Sequence, residues 1–143
     1  MTALTVTAAS VVPVLTGNYP AVIDRSKVAG ETITAGQAVY INATDGKAYK
    51  ADADASAAAA TAVGIAVSGA SAGQPIAIQT GGDLTAGATL TVNTAYIVGA
   101  TAGAINPIAD ITTGWYGCLL AISISTSVLR ILTGGPLVTG AAS

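Results

Sequence analysis

Few side chains in this sequence could perform chemistry. The chain contains no histidine, so it lacks the usual general base and the commonest zinc ligand. Ser26 is followed directly by Lys27, but neighbouring residues on an extended strand point to opposite faces, which argues against a serine–lysine pair. The single cysteine, Cys118, lies in an apolar segment and predicts a buried, inert thiol.

One close pair of carboxylates remains, Asp52 and Asp54, in an alanine-rich stretch beside Lys50. This setting indicates a solvated loop, with a weak surface calcium site as the alternative. The glycine-rich run at 81–83 lacks the lysine and the following helix that a phosphate-binding loop requires. We therefore expect that the protein is not an enzyme and that it binds no cofactor and no metal.

The composition excludes several classes of protein. The chain has 143 residues, of which 52% are hydrophobic and only 8% charged, and its net charge is −2. A disordered tail would be less hydrophobic, and a nucleic-acid-binding protein would carry a basic cluster. The longest apolar stretch, 55–67, is interrupted and too short to span a membrane. No basic residue precedes an apolar core at the start, so we expect no signal peptide and assembly in a cytoplasm.

The scarcity of charge needs an explanation of its own. A free monomer usually stays soluble through abundant lysine and glutamate, whereas this surface must consist largely of alanine, threonine, serine and glycine. Such small side chains lose little conformational entropy when another protein covers them. The composition therefore favours a protein that works inside an assembly; the alternative is a low-charge extracellular or viral β-domain without a special interface.

Short runs of β-branched residues alternate with turn signals every 8–12 residues, a spacing typical of all-β proteins. The pattern predicts a small β-barrel or sandwich of about eight short strands. The alanine-rich stretch Ala51–Ala62 is predicted to be a loop, with one or two helical turns as the alternative. The predicted strands cover residues 39–41, 47–50, 63–68, 75–80, 90–92, 96–98, 116–124 and 128–132.

The first 19 residues form a separate segment. Leu4 and Val6 alternate with threonines, as in an extended strand, and Pro13 confines the stretch to an edge or an arm. Two interpretations stay open: an extended N-terminal arm that reaches a neighbouring subunit, or a first strand of the chain's own sheet. Residues 20–143 are predicted to form a single β domain.

An internal repeat is the most informative feature. The run Gly30–Ile41 is echoed by Gly82–Val92, with the shared order glycine, acid, apolar residue, Thr-Ala-Gly and strand. Later, 63–67 parallels 116–120. We predict two similar four-strand units, at about 29–80 and 81–133; the alternative is chance recurrence in a chain rich in these residues. Gly64 and its counterpart in the second unit predict a bulge or a close approach to another backbone.

Two further features bear on binding. Trp115 and Tyr116 are the largest adjacent aromatic residues, and either anchor an interface or fill the core. Arg130 lies in an apolar strand, where it points to solvent or pairs across an interface, with Asp83 and Asp110 as candidate partners. The predicted capsid or subunit interface comprises Leu4, Val6, Val11, Val12, Pro13, Val14, Tyr19, Trp115, Tyr116 and Arg130.

The residues also resemble a known family. The runs 29–41, 45–53, 63–66, 72–76 and 82–87 are similar to those of capsid decoration (cement) proteins of tailed bacteriophages, and the likeness covers residues 20–135. The resemblance implies binding rather than catalysis: such proteins attach as trimers or dimers to the outside of an expanded shell and stabilise it. Their terminal segments often contact the shell, a role that would fall to Thr2–Tyr19.

The expected protein is therefore a virion component on the capsid surface, assembled in the host cytoplasm. Its partners would be the major capsid protein and further copies of itself, with no nucleic acid and no membrane. The alternative is a host-binding β module of a tail or fibre, which would need an aromatic-lined groove for a glycan. The chain offers one tryptophan and five tyrosines for such a groove.

Overall fold

The described part of the chain folds into one curled antiparallel sheet that forms a half-barrel, with almost no helix. The computed structural model describes residues 3–132 and the backbone of residues 136–138. The all-β prediction is thereby confirmed. The predicted boundaries at 133 and 143 lie outside the described residues.

Eleven strands are described, together with one short α-helix and two 3-10 turns, Ala8–Ser10 and Ile108–Asp110. The helix, α1, spans Ala57–Ala60, and its first turn is capped by Ser56, whose hydroxyl accepts a hydrogen bond from the Ala59 amide at 3.1 Å. The strands are β1 (Val11–Pro13), β2 (Val22–Val28), β3 (Ala38–Ile41), β4 (Ala48–Lys50), β5 (Gly64–Ala66), β6 (Pro75–Ala86), β7 (Ala95–Val98), β8 (Ile105–Pro107), β9 (Gly117–Ser123), β10 (Val128–Ile131) and β11 (Pro136–Val138).

The two halves of the sheet have equivalent strand orders when each half is followed from its edge to the centre. Eight strands follow the order β4-β3-β5-β6-β10-β9-β7-β8, and the pairs are antiparallel. Each half contains a hairpin (β3–β4 or β7–β8), then a strand that pairs with the hairpin's first strand, then a central strand. The two halves meet where β6 pairs with β10. The sheet thus consists of two units with the same topology, as expected from a duplicated sequence.

The second unit has a longer segment between the glycine of its Thr-Ala-Gly sequence and the first strand of its hairpin. Gly36 and Gly87 occupy the repeated corners, both with positive φ (93° and 70°), and lie 51 residues apart. The hairpin strands β3 and β7, however, begin at Ala38 and Ala95, 57 residues apart. The six extra residues contain the turn at Asn93, whose φ is 59°. The predicted strand at 90–92 is therefore wrong: this stretch leads into the turn, and Leu90 is buried in the core.

Strand β6 joins the two units. The predicted strand 75–80 ended before the Gly-Gly-Asp run at 81–83, but β6 passes through this run and changes partners there. Its first part pairs with β2 and β5, and its second part pairs with β1 and β10. Gly82 adopts φ 79°, and an added Cβ would lie 2.1 Å from the Pro20 carbonyl oxygen. Glycine is needed here for a bend within a strand rather than for a turn.

A buried glutamine stabilises that bend. Gln79 is fully buried, and its amide nitrogen donates to the carbonyl oxygens of Gly81 and Asp83 at 3.1 and 2.8 Å. The Asp83 carbonyl also accepts from the Val14 amide at 3.0 Å, so Gln79 gives it a second hydrogen bond. The Gln79 side chain thereby bridges two carbonyl groups of the bend and adds to the backbone hydrogen bonds there.

The core is built from small and medium-sized side chains, many of them alanine. The larger cluster fills the curve of the half-barrel and includes Leu84, Tyr96, Leu120 and Leu129, each at most 1% exposed. A second cluster lies under the first unit, around Ile33 and Ile78. Because alanine leaves room for close strand packing, the domain closes its core although phenylalanine is absent from the sequence.

Candidate interaction face

The central strands expose one face and bury the other. In β6, Leu84 and Ala86 are buried in the core, while Thr85 between them points outward. In β10, Leu129 and Ile131 are buried and the alternate residues are partly exposed. Successive side chains of a strand point to opposite faces of the sheet, so every second residue here is buried and the residues between them are exposed. We call the exposed side of β1, β6, β10 and the end of β9 the outer face.

One row of the outer face consists of Val12, Thr85, Val128 and Ile124. Val12 pairs with Thr85, which pairs with Val128 on its other side. The Ile124 amide donates to the Val128 carbonyl at 3.0 Å, one step beyond the Leu129–Ser123 pair. Directly paired residues share a face, so these side chains form a continuous line across four strands. Val12 and Ile124, at its two ends, are 53% and 40% exposed.

The adjacent row contains an ion pair. Arg130 lies opposite Asp83 in the β6–β10 register, and its Nε and Nη2 donate to the two carboxylate oxygens at 2.8 and 3.2 Å. On its other side Arg130 pairs with Ile122 of β9. The Tyr19 ring covers the guanidinium, with the Arg130 Cζ atom 3.6 Å from the ring centroid. Such a bidentate, stacked arrangement fixes the arginine in one orientation.

The ion pair removes free charge from the outer face. The hydrogen bond to Asp83 raises the pKa of Arg130 above its usual value, against the smaller opposing effect of burial. The Asp83 backbone is held as well, because its amide donates to the Tyr19 carbonyl and its carbonyl accepts from Val14. The face is consequently apolar around a neutral, internally satisfied pair.

The structure brings together part of the predicted interface. Val12, Val14, Tyr19 and Arg130 lie on or beside the outer face, and Pro13, between the two valines, pairs with Leu84. Asp83, one of the two candidate partners of Arg130, is the residue that pairs with it. The other candidate, Asp110, instead accepts a hydrogen bond from the side-chain nitrogen Nδ2 of Asn106 at 2.8 Å.

The remaining N-terminal residues pack on the chain's own sheet. Val11 is buried, and Leu4 and Val6 pack against the core. The Leu4 amide donates to the Ile105 carbonyl, and the Thr7 amide donates to the Gly87 carbonyl, both at 2.8 Å. The described residues of the segment 1–19 thus pair and pack with the chain's own sheet, and a contact of this segment with a neighbouring subunit stays a prediction.

The two aromatic residues lie elsewhere. Trp115 is partly buried and packs against the larger core cluster, as in the core-filling interpretation. The amide of the partly exposed Tyr116 donates to the Ala53 carbonyl at 2.7 Å. Neither residue belongs to the outer face.

The side chains that were considered for catalysis or metal binding are buried or take part in local hydrogen bonds. The Ser26 hydroxyl donates to Asp24 at 2.6 Å, where β2 bulges, and this bond lowers the pKa of Asp24. Burial raises the pKa of the Cys118 thiol, as expected for an inert cysteine. Burial also raises the pKa of Asp52, whose carboxylate accepts from the Asp54 amide at 3.3 Å. Within residues 3–132, no three potential ligand side chains come together as a metal site would require.

A cleft beside the N-terminal segment is relevant to glycan binding. It measures about 450 Å³ and is lined by Leu4, Pro107, three threonines and Tyr96. The Tyr96 side chain is only 1% exposed, and its hydroxyl accepts from the Thr91 amide at 3.0 Å. The cleft therefore offers polar groups but no open aromatic ring of the kind on which sugars stack.

Charge and exposed apolar surface are segregated along the chain. Nine of the 12 charged residues lie between Asp24 and Asp54, all in the first unit and β2. Among the described residues, eight large apolar side chains are prominently exposed, and all lie in 12–22 or 92–132: Val12, Leu15, Tyr19, Val22, Val92, Ile108, Ile124 and Leu132. The charged residues and the exposed large apolar residues thus concentrate in different segments of the sequence.

Part of the outer face was not predicted from the sequence. Ile122 and Ile124 were predicted only as strand residues, and Leu15, which is 70% exposed, was not singled out. The alternation of Val128, Arg130 and Leu132 was the available signal, because it placed apolar residues on the same side as a charged one. The cross-strand pairing that extends this row to Val12 could not be read from one strand.

Comparison with known proteins gives no relative of this chain: no family model matches it, and no curated protein matches it. No helix in the described part of the chain is long and apolar enough to cross a membrane.

Proposed function

We propose that this protein is a structural virion component that binds the outer surface of a bacteriophage capsid and stabilises it. The proposal takes its virion setting from the sequence resemblance over residues 20–135. The observation that carries it is that nine of the 12 charged residues lie in 24–54, whereas the exposed large apolar side chains lie in an apolar part of the sequence formed by 12–22 and 92–132. A protein attached to a larger assembly needs one side that protein can cover and another that stays hydrated.

The composition of the apolar part supports attachment. Half of its residues are valine, isoleucine, threonine or alanine, which have few rotamers to lose on burial. Its central ion pair, Asp83–Arg130, is satisfied within the chain and brings no unpaired charge into a contact. Modest affinity per copy suffices on a shell, because many copies attached together reinforce one another.

The proposed partners are the major capsid protein and other copies of this chain, and the proposed location is the capsid surface, with assembly in the host cytoplasm. A half-barrel held at its middle by the β6–β10 pair is a rigid body suited to bridging shell subunits. No residue of this chain is proposed to act in catalysis.

The test is binding to expanded shells from a virus that lacks this gene product. Purified protein is mixed with the shells and separated by sedimentation, with unexpanded shells as the control for a site created by expansion. Saturable binding, together with a higher temperature of shell disruption, supports the proposal. Absence of binding to expanded shells refutes it, and binding to host glycans in the micromolar range would instead favour a tail or fibre module.

A further inference from the structure

We propose that residues 51–54 form a latch between the two ends of the curled sheet, and that this latch opens more readily at neutral pH than in acid. The segment follows β4, the strand at one end of the eight-strand order, and reaches the turn between β7 and β8 at the other end. The inference concerns a movement within the chain, beyond the proposed attachment to a shell, and it is tested on the isolated protein.

Backbone hydrogen bonds hold the latch in place. The Ala53 amide donates to the Gly99 carbonyl at 2.8 Å. The Ala51 carbonyl accepts from the Gly103 amide, and the Ala53 carbonyl accepts from the Tyr116 amide, both at 2.7 Å. These bonds join the first unit to the second at a place other than the β6–β10 pair, so the latch is a second connection between the units.

Small residues let the two ends approach each other. Ala51 and Ala53 are fully buried, and so is Ala38 of β3, whose carbonyl accepts from the Ala51 amide at 2.8 Å. The Ala38 amide in turn donates to the Gly103 carbonyl at 3.1 Å. Because alanine buries little apolar area, the latch depends mainly on hydrogen bonds. It can therefore open without exposing a large part of the core.

Two carboxyl groups make this opening depend on pH. Asp52 lies between the two buried alanines and is itself partly buried, while Asp54 is exposed. Burial and the neighbouring Asp54 carboxyl raise the pKa of Asp52, against the opposing hydrogen bond from the Asp54 amide. The closed latch therefore favours the protonated acid. This contribution is fully present below the ordinary pKa of 3.8 and is lost as pH rises through the raised value.

The other titratable groups around the latch do not give this direction. Glu31 accepts from the Lys50 amide at 2.8 Å and lies 3.9 Å from the Lys50 ammonium, so its ionised form holds the end of β4 in place. The helix α1 and the β7–β8 turn carry no titratable side chain. The remaining neighbours are Tyr40, Tyr116 and Cys118, and tyrosine and cysteine ordinarily ionise only above pH 7.

The experiment measures hydrogen exchange of single amides in the full chain by NMR, with each rate corrected for the intrinsic rate at that pH. The amides of Ala53, Gly103 and Tyr116 should report one shared opening equilibrium that depends only weakly on low concentrations of urea. The Ala86 amide, which donates to the Ser127 carbonyl beside the β6–β10 pair, should exchange through larger openings with a strong urea dependence. Latch amides that follow the urea dependence of Ala86 would overturn the inference.

The pH dependence is measured on the same amides. Between pH 4 and pH 7 the opening constant of the latch should rise by about threefold or more, the size of a partly exposed charge interaction. Asp52→Asn should remove this rise, because the variant carries no ionisable group at that position. An equal rise in the variant, or no rise in the parent protein, would refute the role of the aspartates.

A second pair of variants tests the latch without a change of charge. Gly103→Ala places a side chain at φ 81° and 3.0 Å from the Gln37 side chain, so the latch should open about tenfold more often. Gly73→Ala is the matched control: its φ is 85°, an added Cβ meets nothing within 4 Å, and the latch should be unaffected. Circular dichroism verifies that both variants fold. Equal effects of the two substitutions on the latch amides would contradict the inference, and neither result bears on shell binding.

Discussion

Substitution of Gly64 by alanine should strongly destabilise the domain. An added Cβ would lie 2.2 Å from the Gln79 carbonyl oxygen and 2.9 Å from Ile78 Cγ2, and the nearest of these atoms is backbone. A relaxed carbon–oxygen contact needs roughly 3.3 Å, so β5 and β6 would have to separate by about 1 Å. Such a separation would lengthen the donor–acceptor distances between the two strands beyond those of normal hydrogen bonds.

The magnitude follows from what this movement breaks. Strand β5 pairs with β6 at Ile65–Gln79 and Ala66–Ile78, and the Val67 amide donates to Ala77 just beyond. Losing two or three such hydrogen bonds at about 1 kcal/mol each, with some loss of core packing, gives about 3 kcal/mol or more. For a domain of this size the midpoint of thermal unfolding should fall by roughly 10 °C.

Gly69→Ala is the matched control. It lies in the same unit, has no positive φ, and its added Cβ would make only an ordinary contact, 3.6 Å from the Ile33 carbonyl oxygen. Its stability should change by at most about 0.5 kcal/mol. Urea unfolding, followed by circular dichroism, compares both variants with the parent. If Gly64→Ala lies within 1 kcal/mol of the control, on the scale used above, the close approach of β5 and β6 is wrong.

Three other substitutions test the interactions around β6 and the alanine-rich loop. Arg130→Met should lower the urea midpoint without changing the m-value, because Asp83 loses its partner; an unchanged midpoint would mean that the pair contributes nothing. Gln79→Glu should cost about 3 kcal/mol at neutral pH, because a carboxylate would face two carbonyl oxygens. Its stability should fall as pH rises above about 4.3, since only the protonated acid can donate, and equal urea midpoints at pH 4 and pH 7 would contradict this. Asp52→Asn should be more stable than the parent at pH 7: burial raises the pKa of Asp52, so its contribution is present at low pH and is lost as pH rises above its ordinary 3.8. Thermal unfolding at pH 3 and pH 7 should show the difference growing with pH.

The fold class could be predicted from the sequence because turn glycines and runs of β-branched residues determine the backbone conformation locally. The corner at Gly36 and the close approach at Gly64 were both predictable from residue type and spacing. The duplicated topology was also accessible, since the repeated Thr-Ala-Gly order marks equivalent corners.

Other features depended on tertiary context. Strand β2 carries Asp24, Arg25 and Lys27 on one short run and gave no apolar alternation, yet it forms because β6 offers it hydrogen bonds. The glycine run at 81–83 resembles a turn, and only the buried Gln79 amide, which accommodates the bend, makes it part of a continuous strand. Local propensity could not reveal either partner.

The outer face was predictable only in part. Arg130 and Tyr19 were both selected from sequence, but nothing local indicated that the tyrosine ring would stack on the guanidinium. The N-terminal valines were selected as a group, whereas pairing with β6 buries Val11 and exposes Val12. Which member of an alternating pair faces out is decided by register, and register is a property of two strands.

Cryo-electron microscopy of the virus particle whose genome encodes this chain tests the central proposal most directly. We predict density for the half-barrel in many symmetric copies on the outside of the shell, with the charged residues 24–54 toward solvent. Density confined to the tail or fibres, or absence of the chain from the particle, would contradict capsid binding.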